Sequence, residues 1–469
     1  MSLTYALGSA LSGLDVASRR AGVVSENVAG AGRPGFGRRT LEIRPASPHL
    51  PGVRTTVLRH EDAAAVALRR AAESQLGASR DPIAFWRNIE AALGEPGDGS
   101  GLFDRLASFE ARLIEASAQP VSEARLSAAV DAASRFADGI RATSNAIVTA
   151  RREAEGDIAA TVDRLNDDLQ AIADLNARIA SIDAVGAATA RLQDQRSLLV
   201  DGVTEVVDIR VLPRASGAVA LISAGGHVLL DGRAAEISFD PAVDVTPNRA
   251  IGAGLRGLAI DGRPLPGDGV SGLGGGRLSG LFALRDVEAP RAQAEIDAFA
   301  AEVVARFSGP NADPSLAPGM PGIFEADPGP GAAGTFSVTS SVSVEPWRLR
   351  DGVAATVADP VADGEVLARL LKRLSDVSTP AGGALGNRPR SLSGLTSDLT
   401  SRASRTLSDH QGAAMRATAL RDAAAARERE SGVDIDEEMR RLIEIEQSYA
   451  AAARVVETVG DMMDRLTRI

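Results

Sequence analysis

Residues 3–28, LTYALGSALSGLDVASRRAGVVSENV, predict the first helix of the chain. Apolar or small residues recur there at alternating intervals of four and three, the spacing of positions a and d in a coiled coil. A single narrow seam of this length is marginal as an isolated helix in water, so it predicts a partner helix. The seam positions are Leu3, Leu7, Ala10, Leu14, Ala17, Ala21, Val24 and Val28.

The other end of the chain supplies a matching helix in residues 431–466, SGVDIDEEMRRLIEIEQSYAAAARVVETVGDMMDRL. Asp434 predicts the N-cap, with Glu437 as its capping-box partner, and the helix is expected to run to Ile469. Glu438 interrupts the apolar heptad positions, but it lies in the first turn, where a carboxylate suits the helix dipole. The predicted seam of this helix is Ile435, Leu442, Ile445, Tyr449, Ala452, Val456, Val459, Met463 and Leu466.

The pattern between the two ends changes from helix to strand and back. Residues 100–148 and 157–183 predict helices, and the second has a regular apolar face. The period switches to two within residues 206–274, where Gly225-Gly226 and Asp231-Gly232 are typical of hairpin turns. A helix is predicted again from Leu278 to Phe307.

The last third of the interior is interpreted as a loop, a strand pair and two more helices. Residues 309–334 contain 12 Gly or Pro in 26 residues and predict an irregular loop. The spacing of Phe336, Val338, Val342 and Val344 predicts one strand pair, and helices are expected at 364–375 and 391–430.

These patterns predict a mainly α fold with a β insertion. Paired terminal helices form a coiled coil, long helices form a middle domain, and a small β domain lies outside them. The predicted boundaries are 1–32 with 432–469 for the inner pair, 33–205 with 275–431 for the middle domain, and 206–274 for the outer domain.

Composition excludes several function classes. The 469 residues contain no Cys, only four scattered His, and Lys372 as the one lysine among 51 basic residues. Disulfide frameworks, thiolate catalysis, Cys-ligated zinc and a P-loop are therefore excluded. A net charge of −11 argues against nucleic-acid binding. Neither a membrane-spanning apolar run nor a Sec signal peptide is apparent. Aromatics make up only 3% of residues, which favours long thin helical layers over one thick core.

The residues that could carry chemistry have simpler structural explanations, so the sequence predicts no enzyme, no cofactor and no catalytic or metal site. Gly252, Gly254 and Gly257 form a G-x-G-x-x-G without the strand and helix that a dinucleotide site needs. The acidic run 434–438 lacks the glycine and distal glutamate of a calcium loop. Side chains given a structural role are Arg33, Arg38, Arg39 and Arg44 (solvated or intersubunit), Trp86 and Trp347 (core anchors), and His227 (a surface or edge histidine).

The ends of the chain resemble the flagellar axial proteins. Residues 11–40, LSGLDVASRRAGVVSENVAGAGRPGFGRRT, are similar to the N-terminal signature of that superfamily. Its Asn-containing segment corresponds to residues 25–28 around Asn27, and its Gly-Tyr turn to Gly35-Phe36, with Phe replacing Tyr. Residues 431–466 resemble the closing signature, and GGRLSGLFALRD at 275–286 resembles a segment of the hook–filament junction proteins.

The resemblance implies a structural subunit at the hook–filament junction that assembles through its terminal helices. It further implies export through the flagellar type III apparatus to an extracellular position. The implied partners are copies of the chain in a ring, hook protein, the second junction protein and an export chaperone at the C-terminal helix, without membrane insertion. Two alternatives remain: another axial subunit of hook, rod or second junction type, and a cytosolic coiled-coil adaptor with permanently closed ends.

Overall fold

Helices dominate the chain. A computed structural model describes residues 3–47, 50–94, 97, 99, 101–182, 186–266, 270, 272–361, 363–381 and 383–467. The helices are α1 (Leu3–Gly30), α2 (Ala63–Leu93), α3 (Leu102–Ala118), α4 (Glu123–Ala180), α5 (Ala187–Val206), α6 (Gly276–Ala283), α7 (Ala289–Phe307), α8 (Ala332–Thr335), α9 (Ser340–Val344), α10 (Arg348–Asp351), α11 (Glu365–Ser375), α12 (Leu392–Glu430) and α13 (Ile435–Thr467). A π-helical turn, Leu284–Glu288, joins α6 to α7.

The strands are short except for the first two. They are β1 (Arg38–Ser47), β2 (Leu50–His60), β3 (Ile209–Pro213), β4 (Val219–Ser223), β5 (Val228–Asp231), β6 (Arg233–Ala234), β7 (Ile237–Ser238), β8 (Ala250–Ile251), β9 (Gly254–Leu255), β10 (Ala259–Ile260), β11 (Arg263–Pro264), β12 (Phe324–Glu325) and β13 (Ser337–Val338). The predicted fold class, mainly α with a β insertion and paired terminal helices, is confirmed.

α4 is the longest helix and the axis of the interior. Its 58 residues correspond to about 87 Å at 1.5 Å per residue. Leu165, Leu169 and Ile172 are fully buried on the apolar face that the sequence predicts. The two helices predicted at 100–148 and 157–183 were divided in the wrong place. The chain is helical through 149–156, and the break lies at 119–122, between α3 and α4.

Most of the phenylalanines lie together at the α3 end of α4. Phe109, Phe136 and Phe324 make edge-to-face ring contacts with one another or with neighbouring rings, and Phe324 stacks on Phe336 at 5.2 Å between centroids. Edge-to-face aromatic pairs contribute about 0.5–1.5 kcal/mol beyond area burial. Six of the eleven phenylalanines therefore form one cluster, and smaller aromatic pairs, Phe85 with Trp86 and Phe239 with Phe282, lie elsewhere in the interior.

Strands β3 to β11 form small sheets beside the second half of α4. An antiparallel sheet of order β3-β4-β5-β6 begins where α5 ends, and the predicted turns at residues 225–226 and 231–232 lie between its strands. Asn166 and Asn176 of α4 each bond the backbone of one strand residue, Ile237 and Val219 respectively. These amides fix the sheets to the helix.

A buried ionic group ties the same region to the π-helical turn. Arg285 is fully buried and pairs with Glu155 of α4 at 2.6 Å, and Glu155 also accepts the Ala242 backbone N–H at 2.7 Å. Burial lowers the pKa of the Arg285 guanidinium. Its bonds to Asp286 and Glu155 raise that pKa by more, so the net pKa lies above the ordinary value. The group stays charged and holds the segment around 242 against α4.

Two segments differ from the sequence prediction. The strand pair predicted from Phe336 to Val344 is wrong. Val338 lies in β13, but β13 pairs with β12, in the segment predicted as a loop, and Val342 and Val344 lie in the short helix α9. The irregular segment 309–334 contains buried side chains, among them Ile323 and Phe324, because those side chains join the aromatic cluster. The hairpin β1–β2 was not predicted at all.

Close helix crossings depend on glycine. A Cβ on Gly77 of α2 would lie 2.3 Å from the carbonyl oxygen of Glu205 on α5, and one on Gly280 of α6 would lie 2.4 Å from that of Ala78. These distances are far below van der Waals contact with backbone atoms. The α2, α5 and α6 backbones can approach this closely only because both positions lack a side chain.

We expect Gly77→Ala to lower the free energy of unfolding by about 1–3 kcal/mol, because the helices must separate to admit the methyl group. The matched control is Gly156→Ala on α4, which is exposed with nothing within 4 Å of the added Cβ. That substitution should stabilise the chain by about 0.5–1 kcal/mol. Urea unfolding followed by circular dichroism measures both, and equal effects would contradict the crossing.

Candidate assembly site at the junction of the terminal helices

The first and last helices pack against each other in antiparallel orientation. Asn27, near the end of α1, contacts Glu438 at the start of α13, and a Cβ on Gly13 would lie 3.8 Å from the Cβ of Ala452. The seam is built from small and β-branched side chains, which allows the two axes to approach closely. Buried along it are Ala10, Ala17 and Val24 of α1, and Val459 of α13.

The remaining predicted seam positions are less covered. Tyr449 is 48% exposed and Met463 38% exposed, and Ile435 at the start of α13 is 50% exposed. The side chains of Leu3 and Leu466 lie outside the described residues. Half-buried positions are Leu7, Leu14, Ala21 and Val28 on α1, and Leu442, Ile445, Ala452 and Val456 on α13.

The centre of the junction is the amide of Asn27, which is fully buried. It exchanges two hydrogen bonds with the backbone of Arg39, each 2.9 Å long, and so takes the place of a neighbouring strand residue at the start of β1. The same amide nitrogen donates to Glu438 at 3.2 Å. One side chain therefore joins α1, β1 and α13.

Glu438 is only 1% exposed although it carries a charge. Besides the Asn27 amide, it accepts from Arg38 Nε at 3.3 Å and from Arg441 at 2.9 Å. A buried carboxylate is tolerated only when it is paired and hydrogen-bonded in this way. The sequence interpretation of Glu438, the one charged residue at a heptad position of α13, was therefore too narrow. Its carboxylate is buried and hydrogen-bonded and does more than favour the helix dipole.

Capping of α13 follows the sequence prediction at Asp434. Its side chain accepts the backbone N–H groups of Asp436 and Glu437 at 2.9 and 3.1 Å. Glu437 itself pairs with Arg441 and lies 3.8 Å from Arg38. The acidic run is therefore used for capping and ion pairing.

The turn at residues 31–37 wraps closely around the end of α1. Gly35 has a φ of +74°, and a Cβ there would meet Leu198 at 2.8 Å and the Asp194 carbonyl oxygen at 3.1 Å on α5. The ring of Phe36 covers Gly30, where a Cβ would lie 2.3 Å from the ring. Both signature residues of the turn are thus in tight contact with α1 or α5.

Arg39 and Asp194 carry the contact from the hairpin to α5. Arg39 is 4% exposed, lies over the Phe36 ring at 4.9 Å, and pairs with Glu26 and, at 2.7 Å, with Asp194. Asp194 also accepts from Arg59 of β2 at 2.8 Å. Burial raises the pKa of Glu26, but hydrogen bonds from Arg191 and Arg39 lower it by more, so the carboxylate stays ionised.

The four arginines divide into two pairs with different surroundings. Arg38 and Arg39 make ion pairs within the chain, with Glu438 and Asp194 respectively. The fold brings both of these partners from segments distant in sequence. Arg33 and Arg44 are exposed, as expected of solvated side chains. No local sequence signal identifies Asp194 as a site residue. Glu438 could have been identified, because a polar residue at a heptad position opposite the signature Asn27 indicates a buried contact.

The other candidates have structural surroundings. Trp86 is buried and donates to Glu288 at 3.0 Å, whereas Trp347 is only half-buried beside Arg348. His227 lies half-buried at the start of β5. In the part of the chain that the structure describes, no cluster of three or more His, Asp or Glu is arranged to hold a metal, and none of its helices is long and apolar enough for a bilayer.

We expect Asn27→Ala to lower the free energy of unfolding of the junction by about 1–3 kcal/mol, because it removes one donor to the buried Glu438 carboxylate and both amide partners of the Arg39 backbone. Amide hydrogen exchange should accelerate at residues 38–41 and 435–442. The control is Asn311→Ala, where the side chain is exposed. Unchanged exchange in the Asn27 variant would contradict the central role of this amide.

The antiparallel pairing predicts an intrachain disulfide in the double variant Gly13→Cys, Ala452→Cys, since 3.8 Å is the usual Cβ separation of a disulfide. The chain has no other cysteine, so mass spectrometry after mild oxidation gives an unambiguous result. Gly22→Cys with Ala452→Cys is the control, because nothing lies within 4 Å of a Cβ at Gly22. Two free thiols in the first variant would refute the register.

Two family models match parts of the chain. Residues 86–313 match the model "Flagellar hook-associated protein FlgK helical domain", and residues 427–469 match "Flagellar basal body rod FlgEFG protein C-terminal". The first range holds α3 to α7, and the second holds α13 with the end of α12.

A curated relative and a solved structure belong to the same group of proteins. Flagellar hook-associated protein 1 of Bacillus subtilis (strain 168) is 27% identical over 413 residues, 81% of this chain and 78% of that protein. The flagellar hook junction protein FlgK from Burkholderia pseudomallei is similar with a TM-score of 0.45 and 22% identity, over 56% of this chain and about half, 47%, of that one. The two family matches and the curated relative together support identification of the chain as a FlgK-type flagellar hook-associated protein, a structural protein of the flagellum.

Proposed function

We propose that the chain is a non-enzymatic subunit of the hook–filament junction that assembles through α1 and α13. The observation that carries this proposal is the partly open seam of that pair. Tyr449 and Met463 stay 48% and 38% exposed although they occupy heptad positions. Apolar side chains at such positions gain stability when a further helix covers them, at about 25 cal/mol per Å² of buried apolar area.

The junction around Asn27 suits a subunit that must order its two ends together. The amide joins α1, the hairpin and α13, and Arg39 with Asp194 continues the contact into α5. Docking of either terminal helix therefore favours docking of the other, because each supplies a partner for a buried polar group. The two terminal helices can therefore become fully ordered where neighbouring subunits add contacts.

The division into an inner pair at 1–32 with 432–469, a middle domain at 33–205 with 275–431 and an outer domain at 206–274 belongs to the same proposal. The inner pair would face the axis of the tube, and the middle domain would lie outside it. Support comes from the packing of α2 to α7 and α12 mainly against one another, while α1 packs mainly against α13 and the β1–β2 hairpin.

As an axial flagellar protein, the chain assembles with other flagellar components. Its immediate partners in our proposal are copies of itself in a ring, hook protein, the second hook–filament junction protein and an export chaperone that binds the C-terminal helix. Export would follow the flagellar type III route to the extracellular structure. These partners follow from the family relation and from the exposed apolar side chains of α13.

Val456→Asp tests the assembly role of α13, and Leu442→Asp is its equivalent nearer the junction. Val456 is half-buried at the seam, so a carboxylate there should prevent terminal-helix pairing while the interior helices stay folded. Thr458→Asp, at an exposed position of the same helix, is the control. Antibody labelling of detached flagella should show one narrow band between hook and filament for the wild-type and control chains, and no band for Val456→Asp.

The same labelling decides between axial positions. Label along the hook or at the rod would assign the chain to that position and overturn the junction proposal. A normal band with Val456→Asp would show that the α13 seam is not required for assembly.

A further inference from the structure

The outer side of the β1–β2 hairpin carries two arginines directly opposite each other. Arg44 and Arg54 are cross-strand partners in the hairpin register, and both are exposed. Like charges in that position destabilise a strand pair. Glu42 bonds Arg44 at 2.8 Å, whereas Arg54 makes no ion pair with any residue that the structure describes. The hairpin tip thus carries more positive charge than its surroundings neutralise.

The α13 helix has one flank that faces the hairpin and one that faces away from it. Arg441, Glu444 and Ser448 line a cleft together with Thr40 and Leu41 of β1, so this flank faces the hairpin. Residues two positions further along a helix are turned by about 200°. Ile443, Glu446 and Ala450 therefore lie on the opposite flank, and all three are exposed.

That opposite flank is acidic and apolar over most of the length of α13. Met439 is 45% exposed and Ile443 53% exposed. Glu446 and Glu457 are exposed and make no ion pair with a described residue of the chain. Its charged members are four acids and one base, Arg454, so its net charge is negative; the full set is Asp436, Met439, Ile443, Glu446, Ala450, Ala453, Arg454, Glu457, Gly460 and Asp461. We name this set the acidic flank.

We propose that the acidic flank of one copy binds the hairpin tip, Arg44 and Arg54, of a second copy. The two surfaces lie on different sides of the terminal pair, so the contact is heterologous and each copy can both give and receive it. This inference rests on the proposed function, because it assigns one lateral contact of the assembled subunit. It names a second copy as the occupant because the unneutralised charges of the two surfaces are opposite.

The polar and apolar parts of the two surfaces contribute differently. Glu446 and Glu457 supply the negative charge that Arg54 lacks within its own chain, which sets the orientation and suppresses pairing of two hairpins. Met439 and Ile443 supply apolar area, and Val53 beside Arg54 is 36% exposed. The bundle of α1 and α13 would thus be covered by a neighbour on the side that its own hairpin leaves open.

Charge reversal in separate chains tests the contact. Glu446→Arg and Arg54→Glu remove side chains that have no ion pair in their own chain, so both variants should fold with an unchanged circular dichroism spectrum. Each alone should lower the inter-chain contact about tenfold, which corresponds to about 1.4 kcal/mol. A one-to-one mixture should restore it, because every contact between unlike chains then joins opposite charges. Rescue by mixing is impossible for a contact within one chain.

The contact is read by cysteine crosslinking, since the chain has no natural cysteine. Val53→Cys and Ile443→Cys are introduced into two differently tagged chains, co-expressed in a strain without its own copy, and flagella are treated with a short bis-maleimide. We expect mixed dimers of the two tags. Val121→Cys, 74% exposed at the start of α4, replaces Val53→Cys in the control, which should give none.

The outcomes separate this inference from the proposed function. Chains present in flagella without a 53–443 crosslink would overturn the contact and leave the junction role standing. Crosslinks between two 53 positions would overturn it as well, since they indicate a two-fold contact of hairpins. Chains absent from flagella would overturn the proposed function, and the same crosslinking on the concentrated purified chain, at low and high salt, would then decide the contact by itself.

Discussion

Glu438 depends on three donors that come from three different elements, and this dependence constrains the whole junction. A buried carboxylate without partners costs several kcal/mol, so α13 can dock only where Asn27, Arg38 and Arg441 are all in place. Asn27 in turn needs the backbone of Arg39 at the start of β1. The two ends of the chain, 411 residues apart at this contact, are therefore coupled by a single buried polar group.

The second layer of the junction passes this constraint to the interior. Asp194 of α5 binds both Arg39 and Arg59, so the hairpin is held between α1 and α5. Gly35 allows the turn to lie against α5, because any larger residue would collide with Leu198. Further ion pairs continue the link to other helices, since Arg69 of α2 joins Asp201 of α5 and Glu428 at the end of α12. The terminal pair is thus anchored through polar side chains, whereas the interior helices are held mainly by apolar ones.

The small sheets of β3 to β11 are attached to α4 by a different kind of contact. Arg285 and Glu155 are both buried, and each also bonds the backbone of the segment between β7 and β10, at Arg256 and Ala242 respectively. A fully paired internal network of this kind fixes orientation, because a shifted arrangement would leave a charge unpaired. This link holds the sheets at a fixed position relative to α4.

The candidate site was only partly predictable. The heptad positions of both terminal helices, the cap at Asp434 and the signature residues Asn27, Gly35 and Phe36 are local features, and they could be found from spacing and resemblance. The hairpin β1–β2 could not, because it has no strong turn signal and is supported by α1 along its length. The burial of Arg39 could not be predicted either, since its partners Glu26 and Asp194 are 13 and 155 residues away.

By itself, the sequence determined the helical ends, the mainly α interior and the position of the β insertion, because these follow from periodicity within one segment. Only the tertiary structure decided which charges are buried, which seam residues stay open and which side of α13 faces away from the hairpin. The physical reason is the distance along the chain between the residues that interact. Helical periodicity depends on neighbours three and four residues away, whereas a buried ion pair depends on a partner that the fold brings from a distant part of the chain.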